Sequence, residues 1–162
     1  MSLPTISHYK DTGAVWVLAS NGEVPPNAVS GGHEANGQPI YVARFTTKEG
    51  QLAPGKLAPS HKQAFVSCGG KEQTSTVYQV LTHPNQQDLR WVPTSGNNLP
   101  TGALQAGGDN RSPLFIGRAP FQGGICCGKF EPSHSCVYLP WGGRENNIPN
   151  NFEVLCLTKI CE

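Results

Sequence analysis

Lys56 follows Gly55 and Lys129 follows Gly128, each in a short stretch without strand character where a merely solvated lysine has no reason to recur. An acidic residue stands after each of two Gly-Gly pairs, Glu34 after Gly31-Gly32-His33 and Asp109 after Gly107-Gly108. A carboxylate that accepts hydroxyl protons, set beside an ammonium that donates to hydroxyl oxygens, is a clamp for a neutral polyol, because charge-assisted hydrogen bonds are the stronger kind. Glu34 with Lys56, and Asp109 with Lys129, are therefore the binding candidates. An ordinary surface ion pair is the plainer alternative for each.

Other chemistry finds less support. His61 and His134 recur in Pro-Ser-His, and a histidine base beside a cysteine nucleophile would be a catalytic pair. No cysteine recurs with them, since Cys68 aligns with Trp141 and Cys136 with Gln63. A zinc site needs about four ligands of good geometry, and neither Cys-x-x-Cys nor His-x-x-x-His spacing occurs. The expectation is a binding protein rather than an enzyme, with no metal and no cofactor.

The elements that must position these residues come as two copies of one unit. Val15-Trp16-Val17 recurs as Arg90-Trp91-Val92, Ile40-Tyr41-Val42-Ala43-Arg44 as Leu114-Phe115-Ile116-Gly117-Arg118, and Pro59-Ser60-His61 as Pro132-Ser133-His134. Gly69-Gly70-Lys71-Glu72 then matches Gly142-Gly143-Arg144-Glu145, and Tyr78-Gln79-Val80-Leu81 matches Phe152-Glu153-Val154-Leu155. The matches are collinear and define a tandem duplication, residues 15–81 and 90–155. Within each unit short runs rich in Val, Ile, Tyr and Phe alternate with turn chemistry such as Asn21-Gly22 and Gly69-Gly70, the mark of antiparallel strands. This predicts an all-β fold of about eight to ten strands. A unit of this size has a thin core alone, so the halves should pack about a pseudo-twofold axis into one body. Trp16 and Trp91 are expected in that core. Arg44 and Arg118 are expected to pair with Glu72 and Glu145, while Gly31-Gly32 and Gly69-Gly70 serve the backbone.

Composition excludes several classes. Glycine and proline number 19 and 14, which rules out long helices. The 12 basic and 11 acidic residues nearly balance, so no field of one sign gathers nucleic acid or an anionic membrane. No run approaches the about 18 apolar residues of a membrane span. Met1 to Lys10 lacks a basic region followed by an apolar one, which predicts a cytoplasmic chain that would leave the cell only by a non-classical route. In that compartment the six cysteines are expected as thiols.

Trp-Val-x-Ala-Ser-x-Gly-x-Val-Pro-x-x-Ala-Val at Trp16 to Val29, Tyr41-Val42-Ala43-Arg44, Pro54-Gly55-Lys56, Gly69-Gly70-Lys71-Glu72 and Tyr78-Gln79-Val80-Leu81 together resemble the DM-nine repeat, over about Val15 to Leu155. Two such repeats form the mannose-binding lectins of bivalve molluscs. The resemblance implies a calcium-independent, dimeric lectin for mannose or mannose-rich glycans, serving innate recognition of microbes. It also implies sugar contacts from the acidic residue after the Gly-rich turn and the lysine of Pro-Gly-Lys, here Glu34 and Lys56. Two departures matter: Glu34 stands where the pattern has aspartate, and Cys127 stands where it has the proline before Gly128-Lys129. An intracellular β-rich interaction or stress-response protein without sugar binding is the alternative function.

Overall fold

A computed structural model describes residues 13–158, so Cys161 and the segment Met1 to Lys10 lie outside the described residues. The first repeat forms β1 (Val15–Ser20), β2 (Ser30–His33), β3 (Pro39–Thr46), β4 (Leu52–Ala58), β5 (Gln63–Cys68), β6 (Lys71–Ser75) and β7 (Val77–Thr82). The second forms β8 (Leu89–Thr94), β9 (Gln105–Gly108), β10 (Pro113–Phe121), β11 (Gly124–Glu131), β12 (Cys136–Trp141), β13 (Arg144–Ile148) and β14 (Phe152–Leu157). The described residues thus hold 14 strands, more than the apolar runs suggested. The extra ones are short and polar or glycine-rich, such as Lys71-Glu72-Gln73-Thr74-Ser75, whose strand state is imposed by pairing rather than by composition. The turns read from the sequence are present: Gly69 and Gly70 both take positive φ, 63° and 83°, as the tight hairpin between β5 and β6 requires.

All pairings are antiparallel and the strand order is β1-β7-β3-β2-β11-β12-β13-β6-β5-β4-β9-β10-β14-β8. Exchanging each strand with its copy in the other repeat reverses this order onto itself, which is the pseudo-twofold. Three junctions join the repeats: His33 pairs with Ile125, Lys71 with Arg144, and Leu52 with Gly108. At the central one the recurrent Gly-Gly-basic-Glu motifs meet each other. The Glu72 carboxylate accepts from the Gly143 amide at 3.2 Å, and the Glu145 carboxylate accepts from the Gly70 amide at 3.0 Å.

Glu72 and Glu145 are therefore not the partners of Arg44 and Arg118. Arg44 lies 4.0 Å over the Trp16 ring, donating to Gln79 at 2.8 Å and to the Ala106 carbonyl at 2.9 Å. Arg118 lies 4.3 Å over Trp91 and pairs with Glu153 at 2.8 Å. Register explains the choice, because Arg44 stands opposite Gln79 on β7 and Arg118 opposite Glu153 on β14. Trp16 is buried as expected, whereas Trp91 is only partly so.

One core cluster belongs to the second repeat, around Phe130, Val137, Leu139 and Phe152, and one to the first, around Leu57, Tyr78 and Val80. The third is shared, with Trp16, Val29, Ile40, Val42 and Leu81 meeting Leu104, Ile116, Cys127 and Leu155. Close approach between the repeats is what Gly32 permits: its φ is +139°, and a Cβ there would collide with the Ile125 carbonyl.

Cys68, Cys126, Cys127, Cys136 and Cys156 are all buried free thiols. Burial pushes the Cys127 thiol far above its ordinary value. The folded protein then holds a proton that the unfolded chain releases from about pH 8.5, so this contribution is intact below that pH and is lost above it, at up to about 1.4 kcal/mol per pH unit. Melting temperature is expected to fall as pH rises from about 8 to about 10, and less steeply in Cys127→Ala. Equal slopes in the two proteins would contradict this assignment.

Candidate carbohydrate sites

Gly55-Lys56 and Gly128-Lys129 are not in loops. Lys56 lies within β4 and Lys129 within β11, and both are buried. The glycine before each lysine exists for strand packing, because a Cβ on Gly55 would strike the Phe65 carbonyl and one on Gly128 the Tyr138 carbonyl. Each ammonium sits beside an aromatic ring of the next strand, Lys56 5.5 Å from the Phe65 centroid and Lys129 5.4 Å from that of Tyr138. After each strand a single 3₁₀ turn, Pro59–His61 or Pro132–His134, swings a histidine to the rim.

The first cavity, about 300 Å³, gathers both residues expected there, Glu34 and Lys56. Glu34 faces His61 at 3.1 Å and accepts from the Ser60 hydroxyl at 3.3 Å. With about four lone-pair positions, the carboxylate keeps acceptor capacity for a ligand. Among the described residues Lys56 makes no ion pair, and its polar contact is the Cys126 thiol at 3.6 Å. The opposite wall comes from the second repeat: Ile125, Cys126, and an edge-to-face pair of Phe121 and Trp141 with centroids 5.9 Å apart. Trp141 is 43% exposed, an open aromatic face at the mouth of the cavity.

The second cavity, about 970 Å³, gathers Asp109 and Lys129, again with a wall from the other repeat that includes Glu49, Gln51 and Cys68. Here the groups are already engaged. Lys129 donates to the Gln51 amide oxygen at 2.8 Å and lies 3.2 Å from Glu145. Gln51 in turn donates to Asp109 at 3.1 Å, so it bridges the expected pair. Asp109 also closes its own turn, accepting from the Arg111 amide at 2.8 Å, and this bond leads in holding its carboxyl below the ordinary range. Glu131, with Ser112 at 3.0 Å and His134 at 3.3 Å, adds a buried carboxylate that the first cavity lacks.

The structure brings each acid and lysine paired in the sequence into one cavity, but each cavity draws on both repeats, so the sequence did not point to Trp141, Phe121 and Cys126 in the first or to Gln51 in the second, nor to Glu131 and Glu145 beside Lys129. The usable signal for Trp141 was its place at a hairpin end, directly before Gly142-Gly143.

Among the described residues the histidines considered for catalysis face other groups than a cysteine sulfur: His61 faces Glu34 at 3.1 Å, and His134 faces Glu131 at 3.3 Å and Tyr138 at 2.9 Å. Burial, opposed by Lys56, pushes Cys126 up.

A duplicated antiparallel β fold with two pseudo-symmetric polar cavities, each walled by both repeats, is the class of protein defined here. The DM9 repeat family matches at residues 5–53, 46–148 and 109–161, and the chain belongs to that family. Natterin-4 of Thalassophryne nattereri is 32% identical over 136 residues, covering 83% of this chain and 32% of that protein. Natterin-1 of the same species is 29% identical over 139 residues, covering 83% of this chain and 36% of that protein. The chain therefore spans about a third of the length of these curated relatives. The crystal structure of the nematode sperm cell motility protein MFP2B superposes with a TM-score of 0.66 over 90% of this chain and 46% of that one, at 16% identity, and shows a shared fold.

Proposed function

We propose that the chain is a calcium-independent lectin for mannose or mannose-containing glycans, acting without catalysis in the recognition of microbial surfaces. The observation that carries this reading is the first cavity, where Glu34, the ammonium of Lys56 and the open face of Trp141 converge. A pyranose presents hydroxyls on its edge and C–H groups on its face. Glu34 and Lys56 fit the edge, and Trp141 fits the face. Sites of this shallow, polar kind bind a single sugar at about 1 mM, so useful avidity comes from two cavities per chain and from pairing of chains as a homodimer.

The test is titration of methyl α-mannoside in buffer containing a chelator. Trp141→Ala is expected to weaken the first site about tenfold, in keeping with roughly 1–3 kcal/mol for an aromatic stacking partner, and Glu34→Gln similarly by removing a charged acceptor. Binding unchanged in both folded variants, or abolished by the chelator in wild type, would overturn the assignment. No mannoside binding in wild type would favour the intracellular interaction protein.

A further inference from the structure

The first cavity differs from the second in one reactive contact, which no ligand reading uses. The Lys56 ammonium nitrogen lies 3.6 Å from the Cys126 sulfur, and both line the cavity. We propose that Lys56 and Cys126 form a covalent nitrogen–oxygen–sulfur bridge under peroxide, which locks the first cavity and leaves the second open.

Three features of the structure direct the chemistry to this pair. The cavity opens to solvent, so a molecule as small as hydrogen peroxide reaches a sulfur that is otherwise buried. The adjacent thiol does not compete, because Cys127 projects from the other face of β11 and its sulfur contacts the Gly55 carbonyl at 3.3 Å. Lys56 is in no ion pair among the described residues, so no carboxylate holds its nitrogen elsewhere, and its flexible four-carbon stem supplies the remaining approach.

The steps balance. Cys126 thiolate attacks one peroxide oxygen, the O–O bond breaks, and the departing hydroxide takes a proton from the adjacent Lys56 ammonium, leaving sulfenic acid, water and the neutral Lys56 amine. A second peroxide then oxidises the Lys56 amine and sulfenic acid together: the sulfenic oxygen bonds to nitrogen, the proton from oxygen and one from nitrogen leave, and two further waters form. Sulfur and nitrogen each give up two electrons, accepted by the two O–O bonds. Two equivalents of a dithiol reverse the change, cleaving S–O and N–O.

The second cavity is the internal control. By the register of β3 with β4 and of β10 with β11, Ala53 stands where Cys126 stands; Lys129 is held by Gln51 and Glu145, and Cys68, which also lines that cavity, takes its hydrogen bond from the Thr47 hydroxyl at 3.8 Å.

The bridge does not depend on sugar binding; only its consequence rests on the reading above, and the two are read separately. Purified full chain is treated with hydrogen peroxide and examined by intact mass and peptide mapping. The expected product gains one oxygen and loses two hydrogens, joins the peptide of Lys56 to that of Cys126, reverts with dithiothreitol and does not form in Cys126→Ser. Cys126 recovered as sulfinic or sulfonic acid with Lys56 free, a direct S–N link without oxygen, or an unmodified pair would each overturn the bridge. In mannoside titration the bridged protein is expected to bind half the sugar of the reduced protein, with Cys126→Ser unaffected by peroxide. Full binding by a protein mapped as bridged would overturn the lock, while absence of binding before oxidation would overturn the lectin reading and leave the bridge standing.

Discussion

Expressed alone, residues 13–83 or 84–158 are expected to give no soluble domain with a sharp melting transition. Each half keeps its private core, but the shared cluster is cut in two. The first half would expose Trp16, Val29, Ile40, Val42 and Leu81. At about 1.5–3 kcal/mol for each large side chain, the loss is on the order of 10 kcal/mol, comparable to the whole net stability of a domain this size. Severing the junctions at His33, Leu52 and Lys71 also leaves β2, β4 and β6 with unpaired edges, which promotes aggregation. Circular dichroism and calorimetry on the separate halves measure this. A cooperative transition in either half near that of the full chain would refute the single-body account, whereas recovery of the native spectrum only on mixing the halves would support it.

The duplication and the strand character were legible because both are local. Trp16 and Trp91, or Tyr78-Gln79 and Phe152-Glu153, announce themselves by order and spacing, and the turns by glycine and asparagine. What a linear reading could not reach was which repeat faces which. Arg44 and Glu72 both recur, and recurrence alone suggested a pair; antiparallel register instead sends Arg44 to Gln79 and Glu72 across the axis to Gly143. Lys56 looked like a loop residue because Pro54, Gly55 and its own charge are all poor strand formers. Its strand state follows from β3 on one side and β5 on the other, contacts that only the folded chain supplies. The same limit hid Trp141, which the fold brings across the cavity from the first repeat's Lys56 and which takes a sugar face only in the proposed reading.

Burial of both lysines gives the second large effect, and it separates site from scaffold. Lys129→Met is expected to destabilise the protein by about 3–5 kcal/mol, because removing one member of a buried ion pair leaves the other uncompensated. Glu145, with its side chain 11% exposed, would lose its cation, and the Gln51 amide oxygen would lose its donor. For a chain of this length that corresponds to a fall of very roughly 6–20 °C in melting temperature. Lys56→Met removes the equivalent charge at no such cost, since Lys56 has no ion pair among the described residues and methionine packs readily against the Phe65 ring and the Cys126 sulfur. Its melting temperature should stay within a few degrees of wild type, or rise as a desolvated charge is lost. Mannoside binding should behave the other way round. Lys56→Met deletes all the ammonium donors of the first cavity and should leave only the second cavity binding, in a fully folded protein. Calorimetric unfolding and mannoside titration on the two variants decide the matter. Equal destabilisation would show that Lys56 also has a structural charge partner, and undiminished mannoside stoichiometry in folded Lys56→Met would remove Lys56 from the site.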